Sequence, residues 1–268
     1  MLVAGLGTPA FAGQVVTLAD LLAGQSIIFG DKEFTNFRNF QSGASGPLAA
    51  PIDPALIDVT AVSVGGEIGL EFSNLDIFNP QMAVSGAGPN QIDSGQGTVF
   101  EFDVIVLDPN LAIDDNTLEL VSSNVGISTG GQPQIVGASV TVEERVLDNS
   151  QQEIAFKKVL SHTIQQDVNL VHEIFPPQSQ ITVNVDIGIL LDANAVFGNA
   201  IIDTFRITFS QIQIENGDDG DGVVGGEFLP IETTSLILAG AQSFSWMIPV
   251  VLSVLGIGLF VVSRKKEC

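Results

Sequence analysis

Apolar side chains recur at every second position over much of this chain, and this pattern constrains the fold more than any other feature of the sequence. It is clearest in residues 181–189, where the apolar positions are Ile181, Val183, Val185, Ile187 and Ile189. Successive side chains of a β-strand point to opposite faces of the sheet, so this alternation predicts strands with one buried face. A helix, with about 3.6 residues per turn, would not produce it.

Further strands are predicted by the same alternation and by β-branched or aromatic composition. They are residues 26–29, 57–64, 68–72, 99–106, 118–121, 139–147, 153–160 and 168–174. A last strand contains Phe205, Ile207 and Phe209, and its pattern changes phase at Ser210-Gln211, as at a β-bulge or a change of sheet. The regular spacing of these segments predicts an all-β fold, an antiparallel β-sandwich of jelly-roll-like type.

Four connections have readable sequences. Residues 17–23 are predicted to form a short helix. A hairpin is predicted at residues 147–152, because Asp148 and Asn149 tolerate the left-handed backbone that such turns need. Residues 43–54 and 85–90 are predicted to be loops, because their Gly and Pro residues interrupt strands.

The C-terminal end predicts a single transmembrane helix. No charged side chain occurs from Thr233 to Ser263. Within this stretch, residues 244–262 would span about 28 Å as a helix, close to the roughly 30 Å hydrocarbon layer of a bilayer. The basic residues Arg264, Lys265 and Lys266 come next, and basic residues beside a membrane helix stay on the cytoplasmic side. We therefore expect a single-pass anchor with a cytoplasmic C-terminus and the bulk of the chain outside the cell.

The other end of the chain agrees with export. Residues 1–12 are mostly apolar and end in Ala10-Phe11-Ala12, the small-x-small pattern of a signal peptide cleavage site. A basic region before the apolar run is missing, so we interpret this segment as a signal peptide remnant, with a buried first strand as the alternative. The predicted organisation is then a β-sandwich ectodomain at 13–215, an acidic Gly-rich linker at 216–229, and a tail at 230–268.

Charge and cysteine content exclude several classes of function. Residues 13–229 carry 29 acidic and six basic side chains, a formal charge of −23. Such a surface repels phosphate backbones, so nucleic acid is excluded as a partner. The only cysteine is Cys268, beyond the predicted membrane helix, so the ectodomain has neither a disulfide nor a cysteine nucleophile.

Two groups of residues are considered for metal binding. Asp218, Asp219 and Asp221 lie close together among glycines and are candidates for wrapping a calcium ion, with a plain acidic linker as the alternative. No other cofactor is expected. His162 and His172 are on neighbouring predicted strands and are interpreted as ordinary hydrogen-bonded histidines, with a metal pair that meets across a hairpin as the alternative.

No catalytic residues are predicted, and the chain is not expected to be an enzyme. Gly43-Ala44-Ser45-Gly46 lacks the last glycine of a nucleophile elbow. The carboxylate pairs Asp114-Asp115 and Glu143-Glu144 are candidates for glycosidase chemistry, but neighbours in a strand point to opposite faces. There is no Tyr, and the only Trp is in the tail, so the stacking platforms of many sugar-binding grooves are missing from the ectodomain.

The tail resembles a sorting signal of the PEP-CTERM type, in the variant found on archaeal surface proteins. The resemblance rests on residues 229–235, on the apolar stretch and on the basic end, and its motif residues are Pro230, Ile231, Glu232, Thr233 and Thr234. The bacterial motif reads Val-Pro-Glu-Pro, from which Ile231 and Thr233 depart. Residues 16–37 and 69–72 are also similar to exported domains that accompany such tails.

This resemblance implies recognition by a membrane transpeptidase of the exosortase or archaeosortase class. It also implies cleavage near the motif and re-anchoring of the exposed domain at the cell surface; a permanent membrane anchor is the alternative. We therefore expect a structural or adhesive surface protein, with the membrane, the transpeptidase and surface-layer or matrix components as partners. The alternatives are an extracellular carboxylate-dependent hydrolase on a jelly-roll scaffold and a calcium-stabilised binding module.

Overall fold

A computed structural model describes residues 15–76, 80–87, 93–128, 137–163, 167–191 and 197–214. All of these ranges belong to the predicted ectodomain. The predicted signal peptide remnant, linker, sorting motif, membrane helix and basic tail lie outside them. Within the described ranges, no helix is both long enough and apolar enough to cross a membrane.

Two antiparallel sheets contain the strands of the described part. In sheet I the order is β1 (Val15–Thr17), β4 (Ile57–Val64), β5 (Glu67–Asn74), β13 (Phe197–Gln213), β8 (Leu111–Ser128) and β11 (Leu170–Gln178), with β6 (Ala83–Ala87) also paired to β13. In sheet II the order is β10 (Glu153–His162), β9 (Ala138–Leu147), β12 (Gln180–Leu191), β7 (Ser94–Val106), β3 (Lys32–Ser45) and β2 (Ile27–Phe29). The predicted all-β, antiparallel architecture is confirmed.

Phenylalanine side chains hold the two sheets together. Phe72 of β5 stacks on Phe205 of β13, with ring centroids 4.8 Å apart, and reaches across the core to Phe100 and Phe102 of β7 at 5.4 and 6.4 Å. All four side chains are buried. The cluster connects the inner faces of the two sheets, which form a β-sandwich. Burial of each such side chain stabilises the folded chain by about 1.5–3 kcal/mol.

Strand β3 is not among the predicted strands, because its core residues are three positions apart. Phe34 and Phe37 are buried, and Phe40 is partly buried against the same core. The extra residue in each interval is absorbed by Asn36 and Asn39, which adopt left-handed φ angles of 55° and 58°. The register of β3 against β7 shifts at both places, so the strand contains two β-bulges.

The predicted loops at 43–54 and 85–90 are wrong in part. Strand β3 continues to Ser45, and Gly43 pairs with Gly97 of β7. Similarly, Ser85 lies within β6, where it pairs with Asn199 of β13. Glycine weakens the interior of a strand but does not prevent pairing, and here neighbouring strands supply the hydrogen bonds.

The remaining connections agree with the sequence. Helix α1 (Leu18–Leu22) begins at a capping box between Thr17 and Asp20. The predicted hairpin joins β9 to β10, where Asp148 Oδ1 accepts hydrogen bonds from the backbone N–H groups of Ser150 and Gln152. The left-handed residue of this turn is Gln151, with φ 61°, and not Asp148 or Asn149, to which the sequence assigned this backbone.

The change in the apolar pattern at Ser210-Gln211 coincides with a β-bulge in the partner strand β8. The register between β13 and β8 shifts there, and β13 stays paired with β8 up to Gln213. The strand therefore does not change sheet. The extra residue on the partner strand is Asp114, because Ser210 pairs with Asp115 and Gln211 pairs with Ile113.

Candidate functional site

The outer face of sheet II contains a groove whose floor is made of glycines. Gly43 of β3 pairs with Gly97 of β7, and Gly97 pairs with Gly188 of β12. A Cβ atom added to Gly43 or Gly97 would meet nothing within 4 Å, and one added to Gly188 would meet only Thr141 Cβ at 3.9 Å. The three glycines thus form a bare strip of backbone that crosses three strands, which we call the glycine groove.

A row of outward-facing side chains, polar except for Val99, forms one side of the glycine groove. Gln41, Val99 and Asp186 occupy the next outward-facing positions on β3, β7 and β12, and Glu143 of β9 lies opposite Asp186. On the other side Leu190 is half exposed. The open volume beside Gln41, Gly43, Gly97 and Asp186 is about 340 Å³, enough to hold part of an extended ligand.

Asp186 and Glu143 bring two carboxylates to the edge of the groove. They lie directly opposite each other in the ladder of β12 and β9, where Cβ atoms are about 4.5–5.5 Å apart. Burial raises the pKa of Asp186, Glu143 raises it further, and Arg145 and Lys158 oppose the shift. Lys158 Nζ lies 2.8 Å from Glu143 Oε1, which holds that carboxylate in place.

The two bulges of β3 aim a polar network at the neighbouring strand. Arg38 Nη1 lies 2.9 Å from Asp103 Oδ1, and Arg38 Nε lies 3.3 Å from Glu101 Oε2. Asn36 Nδ2 donates to Asp103 Oδ2 and Asn39 Nδ2 donates to Glu101 Oε2, both at 2.7 Å. These contacts hold the side chains of Arg38, Glu101 and Asp103, which lie next to the groove beyond Gln41, in fixed positions. This part of the sheet face is therefore pre-organised.

A second cluster lies on the outer face of sheet I. One ligand atom each from Glu67 of β5, Asp115 of β8 and His172 of β11 lies within 4.8 Å of the others. His172 Nε2 is 3.2 Å from Asp115 Oδ2. The Thr208 hydroxyl of the intervening strand β13 donates to Glu67 Oε2.

Asp114 joins this face because of the bulge in β8. Its Oδ1 accepts a hydrogen bond from Ser210 Oγ at 3.4 Å. Burial and the charge of Asp115 raise the pKa of Asp114, whereas His172 opposes the shift. Asp115 Oδ1 is buried and has no hydrogen-bond partner among the residues that the structure describes.

A charged pair is buried between the sheets. Glu144 of β9 and Lys157 of β10 are directly opposite each other, both side chains are fully buried, and Glu144 Oε2 lies 3.9 Å from Lys157 Nζ. Asn116 of β8 bridges them, since it donates to Glu144 Oε1 and accepts from Lys157 Nζ. Burial raises the pKa of Glu144 to about 7, although Lys157 and Asn116 oppose the shift.

The carboxylate pairs named from the sequence have different outcomes. Glu143 and Glu144 point to opposite faces of sheet II, as predicted. Asp114 and Asp115 do not separate in this way, because Asp114 is the extra residue of a bulge and bonds to Ser210, the partner of Asp115. The prediction of opposite faces is wrong for this pair.

The candidate histidine pair requires β10 and β11 to run as paired strands, but in the described residues they are paired only through the isolated bridge between Leu160 and Val168. His162 ends β10 in sheet II, whereas His172 lies in β11, which pairs with β8 in sheet I. His172 instead lies beside Asp115 and Glu67. The other predicted site residues lie outside the described residues: Asp218, Asp219 and Asp221, the motif residues Pro230, Ile231, Glu232, Thr233 and Thr234, and the basic residues Arg264, Lys265 and Lys266.

No protein-family profile matches this sequence, and no curated protein matches it at a significant level. Several solved structures show weak similarity, including the following three. The enzymatically active domain of tailspike protein 4 from bacteriophage CBA120 is similar over 63% of this chain at 10% identity and a TM-score of 0.22, and the similarity covers 19% of that structure.

The other two structures are carbohydrate-binding modules. One, from the β-sandwich superfamily, is similar over 69% of this chain and 58% of its own, at 10% identity and a TM-score of 0.23. The other, TmCBM61 in complex with β-1,4-galactotriose, is similar over 63% of this chain and 87% of its own, at 12% identity and a TM-score of 0.23. This chain therefore spans less than two thirds of the length of the tailspike domain and of the superfamily module. At such TM-scores the likeness carries no argument about what this chain binds.

Proposed function

We propose that this chain is an exported cell-surface protein with a structural or adhesive role, and that its β-sandwich contacts the surface matrix through the glycine groove. The proposal depends on the alignment of Gly43, Gly97 and Gly188 across three strands. Glycine weakens strand interiors, because it has no side chain to pack and loses much conformational entropy on folding. Glycines in register on an exposed face are favoured where a ligand approaches the backbone closely.

The chemistry of the groove favours an extended, uncharged polymer that carries hydroxyl groups. Asp186 and Gln41 present carboxylate and amide oxygens that accept hydrogen bonds from hydroxyls. The bare backbone of Gly43 and Gly97 gives a flat floor for a ring or an extended chain. The charge of −23 on residues 13–229 disfavours a polyanion. Contact then depends on shape and hydrogen bonds, since no aromatic side chain lines the described groove.

Surface display is assigned to the tail in this proposal. Residues 244–262, within the uncharged stretch, are the membrane span, and Arg264, Lys265 and Lys266 keep the C-terminus inside. A membrane transpeptidase cleaves near the sorting motif at residues 230–234 and transfers the sandwich to a surface anchor. The acidic linker at 216–229 separates the sandwich from that anchor.

Substitution of Gly97 tests the binding role. Gly97→Val fills the middle of the groove with a side chain that suits a strand and meets no neighbour. We expect the purified full chain to co-sediment with cell-surface matrix polymer from the producing cells. Gly97→Val should weaken this binding at least about tenfold, equivalent to about 1.4 kcal/mol, without lowering the melting temperature.

Thr60→Val is the matched control, because it also places a valine on an outer face, but in sheet I, where Thr60 pairs with Glu71 of β5. It should bind like the wild type. Equal binding by Gly97→Val and the wild type, with both folded, would refute the role of the groove. It would leave surface display to be tested separately.

Hydrolysis is the second candidate, because Asp186 and Glu143 are opposite each other at the groove. Glycosidases use a pair of carboxyl groups that flank the scissile bond, and a raised pKa of Asp186 suits a general acid. The discriminating measurement is release of shorter oligomers from the bound polymer. Product formation that Asp186→Asn abolishes would favour hydrolysis, whereas intact polymer in the presence of binding would favour adhesion.

A further inference from the structure

We propose that Glu67, Asp115 and His172 form a binding site for a divalent transition metal ion, best suited to zinc, on the outer face of sheet I. The three residues come from three strands, β5, β8 and β11. Zinc in open sites is commonly held by three protein ligands drawn from imidazole nitrogen and carboxylate oxygen, with water in the fourth position. The set of ligand types here is of that kind.

The distances are compatible with one ion. With zinc–ligand bonds of about 2.0–2.2 Å, two ligands of a tetrahedral site lie about 3.3 Å apart. His172 Nε2 and Asp115 Oδ2 are already 3.2 Å apart. Glu67 completes a set in which all three ligand atoms lie within 4.8 Å of one another, and rotation of its long side chain closes the remaining gap.

The surroundings orient the ligands and leave oxygens free for the ion. Thr208 donates a hydrogen bond to Glu67 Oε2, so Glu67 Oε1 remains for coordination. Asp115 Oδ1 is buried without a hydrogen-bond partner in the described part of the chain. A buried carboxylate oxygen needs such compensation, and a cation held by the same carboxylate supplies it.

The local charge also favours a cation. Among the described residues, neither Glu67 nor Asp115 forms an ion pair with Lys or Arg, and the carboxylate of Asp114 lies nearby. Arg206 is engaged elsewhere, at 2.7 Å from Glu119 and 3.8 Å from Glu71. Because an imidazole ligand suits zinc better than calcium or magnesium, which prefer oxygen, we assign a transition metal to this site.

Zinc at this site would join the edge strand of sheet I to its interior. Strand β11 ends the sheet and pairs with β8, whereas β5 lies two strands further in. The chain has no cysteine before Cys268, so a disulfide cannot make this connection. The ion would act as a clip between strands, independently of what the glycine groove holds.

Zinc titration of the full chain tests the proposal. The protein should be untagged, metal-free, held in detergent and carry Cys268→Ser, so that neither a tag nor the thiol binds zinc. We expect one zinc ion per chain by calorimetry. At a free zinc concentration of about 100 times the dissociation constant, the melting temperature should rise by about 5 °C. Cobalt should give the visible absorption spectrum of a tetrahedral site.

Matched variants assign the site. His172→Gln and Asp115→Asn should each remove the calorimetric binding and the rise in melting temperature. His162→Gln, which changes the other histidine, should retain both effects. A variant with Asp218, Asp219 and Asp221 all changed to Asn should also retain them, which separates this site from the predicted calcium segment.

Two outcomes would overturn the proposal. In the first, zinc in molar excess neither binds nor shifts the melting temperature, so that His172 and Asp115 form an ion pair only. In the second, zinc binds equally to the wild type, to His172→Gln and to Asp115→Asn, so that the ion is held elsewhere on the chain. Both outcomes can be read from these variants, because His172 is 41% exposed and its substitution leaves the core intact.

Discussion

Glu144 and Lys157 face each other across β9 and β10 with both side chains fully buried, and Asn116 from the other sheet bridges them. Glu144 Oε2 has no hydrogen-bond partner among the described residues. Taking a carboxylate out of water in this way favours its protonated form. The pair therefore makes the stability of the sandwich depend on pH.

Replacing Glu144 by Gln should remove a specific part of that pH dependence. The pKa of Glu144 is raised from 4.5 to about 7 in the folded state, so the folded chain keeps a proton that the unfolded chain releases. This contribution to the free energy of unfolding is fully present below about pH 4.5 and is lost as the pH rises to about 7. Its size is about 3 kcal/mol.

Denaturant unfolding at a series of pH values between these limits checks this expectation. The wild type should lose stability relative to Glu144→Gln as the pH rises through this window. Glu33→Gln is the control, because Glu33 lies on the outer face of sheet II, opposite Ile105 of β7, and it should behave like the wild type. Parallel curves for the wild type and Glu144→Gln would contradict the account of the buried pair.

Gly69→Ala should be strongly destabilising, whereas Gly97→Ala should not. A Cβ at Gly69 would lie 1.9 Å from Ile207 O and 2.6 Å from Thr208 Cα, both in the backbone of the neighbouring strand β13. Overpacking of this kind costs on the order of 3 kcal/mol. A Cβ at Gly97 meets open space, so the melting temperature of Gly97→Ala should stay the same or rise. Equal melting temperatures for Gly69→Ala and Gly97→Ala would show that the backbone of β13 is not in contact with position 69.

Asn39→Val should cost about 2 kcal/mol more than Asn39→Gly, because a β-branched residue is strained at the left-handed φ of 58°. Both variants lose the hydrogen bond to Glu101, so the difference between them isolates the backbone. Valine is otherwise the better strand residue. A more stable Asn39→Val would therefore mean that this bulge is absent.

These bulges also show where the sequence is insufficient to predict the fold. The strand at residues 57–64 is predicted with its observed bounds, because its apolar residues alternate as far as Ala61 and its β-branched composition continues to Val64. Strand β3 also has one buried face, but Asn36 and Asn39 each add a residue, so its apolar residues no longer recur at every second position. Periodicity does not reveal which Asn has a left-handed backbone, because the bulges depend on how β3 pairs with β7.

The candidate sites are less predictable than the strands. The glycine groove requires Gly43, Gly97 and Gly188 to be in register, and register between distant strands depends on turns, bulges and core packing. The cluster on sheet I likewise joins residues from β5, β8 and β11. The sequence does identify His172 and Asp115 as residues of interest, but it assigns each a different neighbour.

The sorting prediction can be tested on the mature protein. We expect intact mass spectrometry of the protein from its native membrane to give a chain that ends near residues 230–234, because cleavage at the motif releases the tail. A mass that still includes Ser243 to Cys268 would indicate a permanent single-pass anchor instead.

Labelling of Gly97→Cys on intact cells tests the central claim most directly, because it reports both export and the glycine groove. The native Cys268, predicted to be cytoplasmic or removed, serves as an internal control. A membrane-impermeant maleimide should label position 97 on whole cells and leave Cys268 unlabelled. Added matrix polymer should slow the labelling at position 97 but not the labelling of an exposed control, Ser63→Cys. Position 97 that is labelled only after lysis, or at a rate that the polymer does not change, would contradict the account.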